Sequence, residues 1–139
     1  MNKNDNKELS DLADKNIKLF LLMNNWTRLL QDKRTVADYF KKNNYYSISI
    51  YGYGYVGETL ERELKNTGIK IEYIIDKNAE YMYAATKLIT PEEEFENVDV
   101  VVVTAIDNNN TLINELQSKC SFNIVSIGDV LKEAWKGDI

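Results

Sequence analysis

The segment that most constrains this chain is Ile48-Ser49-Ile50-Tyr51-Gly52-Tyr53-Gly54-Tyr55-Val56-Gly57-Glu58-Thr59-Leu60, where a β-rich run passes through a GxGxxG turn into a helical pattern. A strand that hands over to a helix through such a turn needs each glycine for a different reason. The first permits the tight turn, the second lets a phosphate group approach the backbone, and the third lets the helix close on the sheet. The free N–H groups at the helix start, with the helix dipole behind them, favour a pyrophosphate.

The pattern on both sides of this turn alternates between strand and helix. Ser47 to Tyr51 reads as a first strand, Val56 to Asn66 has helical spacing through Leu60 and Leu64, and Gly68 is a stop signal. Ile69 to Ile75 reads as a second strand, Lys87 to Ile89 as a weak third, Val98 to Thr104 as an apolar fourth and Phe122 to Ile127 as a fifth. Between the last two, Thr111 to Ser118 is helical, and Asp129 to Trp135 closes the chain as a short helix. Pro91-Glu92-Glu93-Glu94 reads as another helix start, with proline at the first position and acids in the first turn. Strands separated by helices pair in parallel with right-handed crossovers, so the expected fold is α/β, a Rossmann-like doubly wound parallel five-stranded sheet of order 3-2-1-4-5. The valines at 100 to 103 belong at its buried centre.

The chain divides near Asn43 and Asn44 into an N-terminal helical segment, 1–44, and the α/β part, 45–139. In the first segment Leu9, Leu12, Ala13, Ile17, Phe20, Leu21 and Met23 recur at spacings of three and four, opposite Lys7, Asp11, Asp14, Lys15 and Lys18. Asn24 and Asn25 loosen the pattern, Trp26, Leu29 and Leu30 restore it, and Thr35 is placed to cap a short helix with Val36, Tyr39 and Phe40. Two or three helices therefore precede the sheet. They either cover a sheet face or meet a second subunit, which makes a homodimer through these helices one expectation.

At 139 residues the chain has room for one ordinary core. Its net charge of -5 repels phosphate backbones and anionic lipid, and no run of five basic residues offsets this, so nucleic acid and membrane surfaces are disfavoured partners. Met1 to Asp14 lacks the apolar core of a signal peptide, and the single Cys120 excludes an internal disulfide; both point to the cytoplasm. The absence of histidine removes the commonest general base and metal ligand, and neither catalytic residues nor a metal site are assigned.

Candidate binding residues cluster where the strands end. They are Gly52, Tyr53, Gly54, Tyr55, Val56 and Gly57 of the turn, Asp76 and Lys77 after the second strand, and Thr104 and Ala105 after the fourth. Asp76 lies nineteen residues beyond Gly57, where an acid accepts hydrogen bonds from the ribose hydroxyls of NAD. It would repel the 2'-phosphate of NADP, an effect that Lys77 softens. The rings of Tyr53 and Tyr55 either stack on a ligand or pack over the turn. Thr104 and its backbone are candidates for sugar contact, whereas the following Asp107 and asparagines also suit a helix cap. Tyr83 and Lys87 have the YxxxK spacing of short-chain dehydrogenases but lie between the second and third strands, the wrong place for that chemistry.

Ile50-Tyr51-Gly52-Tyr53-Gly54, Tyr73-Ile74-Ile75-Asp76 and Val98-Asp99-Val100-Val101-Val102-Val103-Thr104, with Ile127-Gly128-Asp129-Val130-Leu131 at the end, make residues 45 to 135 resemble a known group. These are the small Rossmann domains at the N-terminus of bacterial nucleotide-sugar dehydratases and of some sugar acyltransferases in surface-glycan pathways. The resemblance implies nucleotide contact by Gly52, Gly54, Gly57 and Asp76, with NAD or a nucleotide sugar as the ligand. The catalytic parts of those enzymes have no counterpart in it, and the N-terminal helices depart from the pattern.

Three functions fit these residues. One is an accessory or sensor domain that binds NAD or a nucleotide sugar in surface-polysaccharide biosynthesis. Another is a small NAD-dependent oxidoreductase or epimerase-like enzyme, completed by a homodimer. The third is a ligand-free scaffold for protein contacts through the Leu9 to Phe40 helices.

Overall fold

The computed structural model describes residues 3–106 and 109–136. Two helices, α1 (Lys3–Gln31) and α2 (Val36–Lys42), precede strand β1 (Ser47–Tyr51). Then follow α3 (Tyr55–Leu64), β2 (Lys70–Ile75), β3 (Leu88–Ile89), β4 (Val100–Val103), α4 (Asn109–Lys119), β5 (Asn123–Ser126) and α5 (Ile127–Lys136). All neighbouring strands pair in parallel, in the order β3-β2-β1-β4-β5. This is the expected α/β sheet, and all four valines of β4 are buried on both faces.

One face of the sheet carries most of the core. Ile48, Ile50, Ile74, Val100 and Val102 meet Val56, Leu60 and Leu64 of α3, Val130 and Leu131 of α5, and Trp26, Leu29, Val36 and Phe40 of the N-terminal helices. The N-terminal helices therefore share the core of the sheet. A side-chain latch holds them there: Glu63 on α3 accepts from the indole N–H of Trp26 and from the backbone N–H of Val36, both at 2.8 Å. The second acceptor bond satisfies a free N–H in the first turn of α2, whose N-cap is Thr35 as expected.

The opposite face is smaller. There Tyr73, Ile75, Ile89, Val98 and Val101 pack with Phe95 and Phe122, and the Tyr73 hydroxyl donates to the Glu96 carbonyl at 2.6 Å.

Two local expectations are corrected. The loosening at Asn24 and Asn25 does not interrupt α1, which runs for 29 residues because Leu22, Trp26 and Leu29 keep helical spacing into the core. Pro91 starts no helix; the β3–β4 connection is a turn and extended chain. The Glu93 N–H donates to the Thr90 carbonyl at 3.1 Å, an i to i+3 turn bond, and the Glu93 carboxylate accepts from the Thr90 N–H at 2.6 Å, so the segment closes as a turn with no helix after it. Lys119 from α4 donates to the Pro91 and Glu93 carbonyls and lies 4.0 Å from the Phe95 ring centroid, so tertiary contacts hold this segment flat. The expected cap at Asp107 and Asn108 lies outside the described residues.

Candidate functional site

The strands β1, β2 and β4 end together, and their ends build a cleft of about 520 Å³. Its walls are Gly52, Tyr53, Gly54, Tyr55, Val56 and Gly57 of the β1–α3 turn, Asp76, then Thr104 with Ala105 and Ile106, and finally Lys15 and Leu19 of α1. Nine of the ten residues singled out from sequence thus meet in one place. Lys77 does not; it is exposed beyond Asp76 and lines no part of the cleft.

Three fastenings shape the turn. The Gly52 N–H extends the β1–β2 ladder by donating to the Ile75 carbonyl at 2.7 Å, and its φ of 102° is a conformation that favours glycine. The Asp76 carboxylate accepts from the Tyr53 N–H through one oxygen and from the Asn78 N–H through the other, both at 2.8 Å. The Thr104 hydroxyl lies 2.9 Å from both the Tyr51 and Gly52 carbonyls, so its one proton is shared between two acceptors that close β4 onto the end of β1.

The glycines divide by what surrounds them. A Cβ at Gly57 would stand 2.2 Å from the Gly52 carbonyl oxygen, so this glycine serves close helix–sheet packing. A Cβ at Gly54 would meet no atom within 4 Å, so the backbone there faces open space. Gly54 is the N-cap of α3 without a side-chain capping bond, and the first helical bond runs from the Glu58 N–H to its carbonyl at 2.9 Å. The N–H groups of Tyr55, Val56 and Gly57 precede that bond and remain available to an anion, as at any helix start.

The two tyrosines behave differently. Tyr53 reaches along α3 and donates its hydroxyl to Glu61 at 2.7 Å, while the other oxygen of Glu61 accepts from Thr86 at 2.9 Å. Burial, reinforced by the Glu61 carboxylate, pushes the Tyr53 hydroxyl up to about 12. Its ring packs against the main core while still lining the cleft. Tyr55 is 80% exposed at the rim, with its ring face open.

Two residues of the cleft were not legible in the sequence. Lys15 and Leu19 occur in a pattern that reads only as an amphipathic helix, and their distance from Gly52 along the chain gives no sign that α1 walls the cleft. Glu61 was likewise hidden, since a helical glutamate normally faces water, whereas here it is buried between two hydroxyl donors.

The rejected YxxxK pair stays apart from the cleft. Tyr83 is almost fully exposed, and Lys87 is paired with Glu96 at 4.0 Å. Among the described residues no helix is long and apolar enough to cross a membrane. Comparison with models of known protein families, with curated proteins and with solved structures finds no match to this chain.

Proposed function

We propose that this chain binds a nucleotide-type ligand, NAD or a nucleotide sugar, with its pyrophosphate over the Gly52–Gly57 turn. The observation that carries the reading is the open backbone at Gly54, set at the start of α3 inside a cleft that also holds Asp76, Thr104 and Ala105. Helix-start N–H groups supply donors to phosphate oxygens, and Lys15 on the facing wall adds a positive charge. Each Asp76 oxygen accepts one backbone N–H and keeps a further acceptor site, which a ribose hydroxyl can use. The exposed ring of Tyr55 offers a stacking surface for a base.

Binding is favoured over catalysis because the cleft's chemistry is already engaged in structure. Asp76 ties two backbone groups, the Thr104 hydroxyl holds two carbonyls, and the Tyr53 hydroxyl is committed to Glu61. In this reading the chain is a cytoplasmic accessory or sensor that holds the nucleotide for enzymes of surface-polysaccharide synthesis, the setting implied by the resemblance of residues 45 to 135.

The test is a thermal-shift series with NAD, NADH, NADP, ATP, CoA, FAD, UDP-glucose and UDP-N-acetylglucosamine. A ligand at about a hundredfold its Kd adds roughly 2.7 kcal/mol, a rise of several degrees for a chain of this size. Gly54→Val should abolish that rise while lowering the melting temperature of the free protein by no more than a few degrees, because its side chain enters open space and only the preference of the helix N-cap for glycine is lost. No rise with any of these ligands at millimolar concentration would refute the reading.

A further inference from the structure

Helix α1 carries two apolar arcs on opposite sides. At 100° per residue, Leu22, Trp26 and Leu29 share the arc that faces the sheet, and they pack there. In the first half of the helix that same arc is occupied by Lys7, Glu8, Asp11, Asp14, Lys15 and Lys18, while Leu9, Ala13, Ile17 and Phe20 centre on the opposite side, with Leu12 and Leu21 at its edges. The second arc has no partner among the described residues: Leu9 and Leu12 are each 54% exposed, Ile17 58%, Phe20 68% and Leu21 51%. Every residue from Asn4 to Lys18 is exposed, so this half of α1 reaches past the body of the fold.

The size and chemistry of the arc point to one occupant. Half-exposed side chains of this kind offer on the order of 500 Å² of apolar surface, at the upper end of what a monomer leaves in water, and two such arcs together bury on the order of 1,000 Å², the size at which specific interfaces begin. The polar side of the same half carries three lysines and three acids, without the excess of basic residues that holds an amphipathic helix on a lipid surface.

We propose that two copies of this chain associate through the Leu9–Leu21 face of α1, as a symmetrical helix pair in which each copy presents the same patch. The sheet-facing arc and the cleft stay with their own chain, so association does not require a ligand.

Sedimentation of the whole chain across a micromolar range tests this directly. The expected result is a species of twice the chain mass, which Ile17→Lys with Phe20→Lys halves while the far-UV circular dichroism is retained. A milder Phe20→Ser variant, which adds no charge, should raise the dissociation constant at least tenfold and guards against misfolding of the double variant. A wild-type chain that sediments as a monomer throughout, or a folded double variant that remains a dimer, overturns the proposal. A monomer that instead floats with phosphatidylcholine vesicles also overturns it, and assigns the face to lipid.

Discussion

Replacing Gly57 and Gly54 separately by alanine distinguishes a glycine needed for packing from one that leaves room for a ligand. At Gly57 the new Cβ would lie 2.2 Å from the Gly52 carbonyl oxygen and 3.2 Å from its carbon, against a practical limit of 3.0 Å, so something must move by at least 0.8 Å (3.0 minus 2.2). Gly52 cannot easily yield, because its N–H is bonded to Ile75, its carbonyl is bonded to Thr104, and its φ of 102° has few alternatives. Overpacking of this kind costs about 1–3 kcal/mol, and disturbing the two bonds adds about 1 kcal/mol each. Alanine returns about 1 kcal/mol through helix propensity, leaving a net loss of about 2–4 kcal/mol. For a chain of this length that lowers Tm by about 6–16 °C. At Gly54 the open space removes the steric term, and a few tenths of a kcal/mol lost at the N-cap are offset by reduced freedom of the unfolded chain. Urea unfolding followed by circular dichroism at constant slope should therefore find Gly54→Ala within about 0.5 kcal/mol of wild type. Equal stability of the two variants would refute the packing argument.

Removing the Glu63 side chain should release α1 and α2 from α3. Glu63→Ala leaves the Trp26 indole and the Val36 N–H without their acceptor, a loss of about 2–3 kcal/mol accompanied by a red shift in tryptophan emission; an unchanged spectrum and stability would show that the latch is ornamental. Asp76→Ala should cost about 1–2 kcal/mol through the freed N–H groups of Tyr53 and Asn78 even without ligand, as read by thermal unfolding. At high pH, burial raises Tyr39, Tyr53 and Tyr73 to about 12 from 10. The unfolded chain loses these protons first, so stability is intact below pH 10 and falls as pH rises from 10 through 12. Urea midpoints that stay level across that window would contradict the burial of these hydroxyls, and Tyr53→Phe should reduce the slope.

How far the sequence could be read follows from the range of the interactions involved. The five strands, their order and the turn were legible because each rests on local chemistry: β-branched runs at Ile48–Ile50 and Val100–Val103, and glycines where a strand turns into a helix. Asp76 and Thr104 could be placed beside that turn because parallel pairing carries the ends of β2 and β4 to the end of β1. The helix expected at Pro91 was local evidence overridden from a distance, since Lys119 holds the Pro91 and Glu93 carbonyls in a turn.

By itself, then, the sequence determined the element types, the parallel sheet and the glycine turn, all set by periods of two and 3.6 residues and by backbone freedom at single positions. Only the tertiary structure decided that Lys15 and Leu19 wall the cleft, that Glu61 is buried between Tyr53 and Thr86, and that the Leu9–Leu21 arc of α1 stays exposed while Leu22, Trp26 and Leu29 enter the core. The reason is physical: an amphipathic pattern states that a face seeks burial, but the partner that buries it is fixed by how rigid elements dock, and docking is set by contacts far apart in the chain.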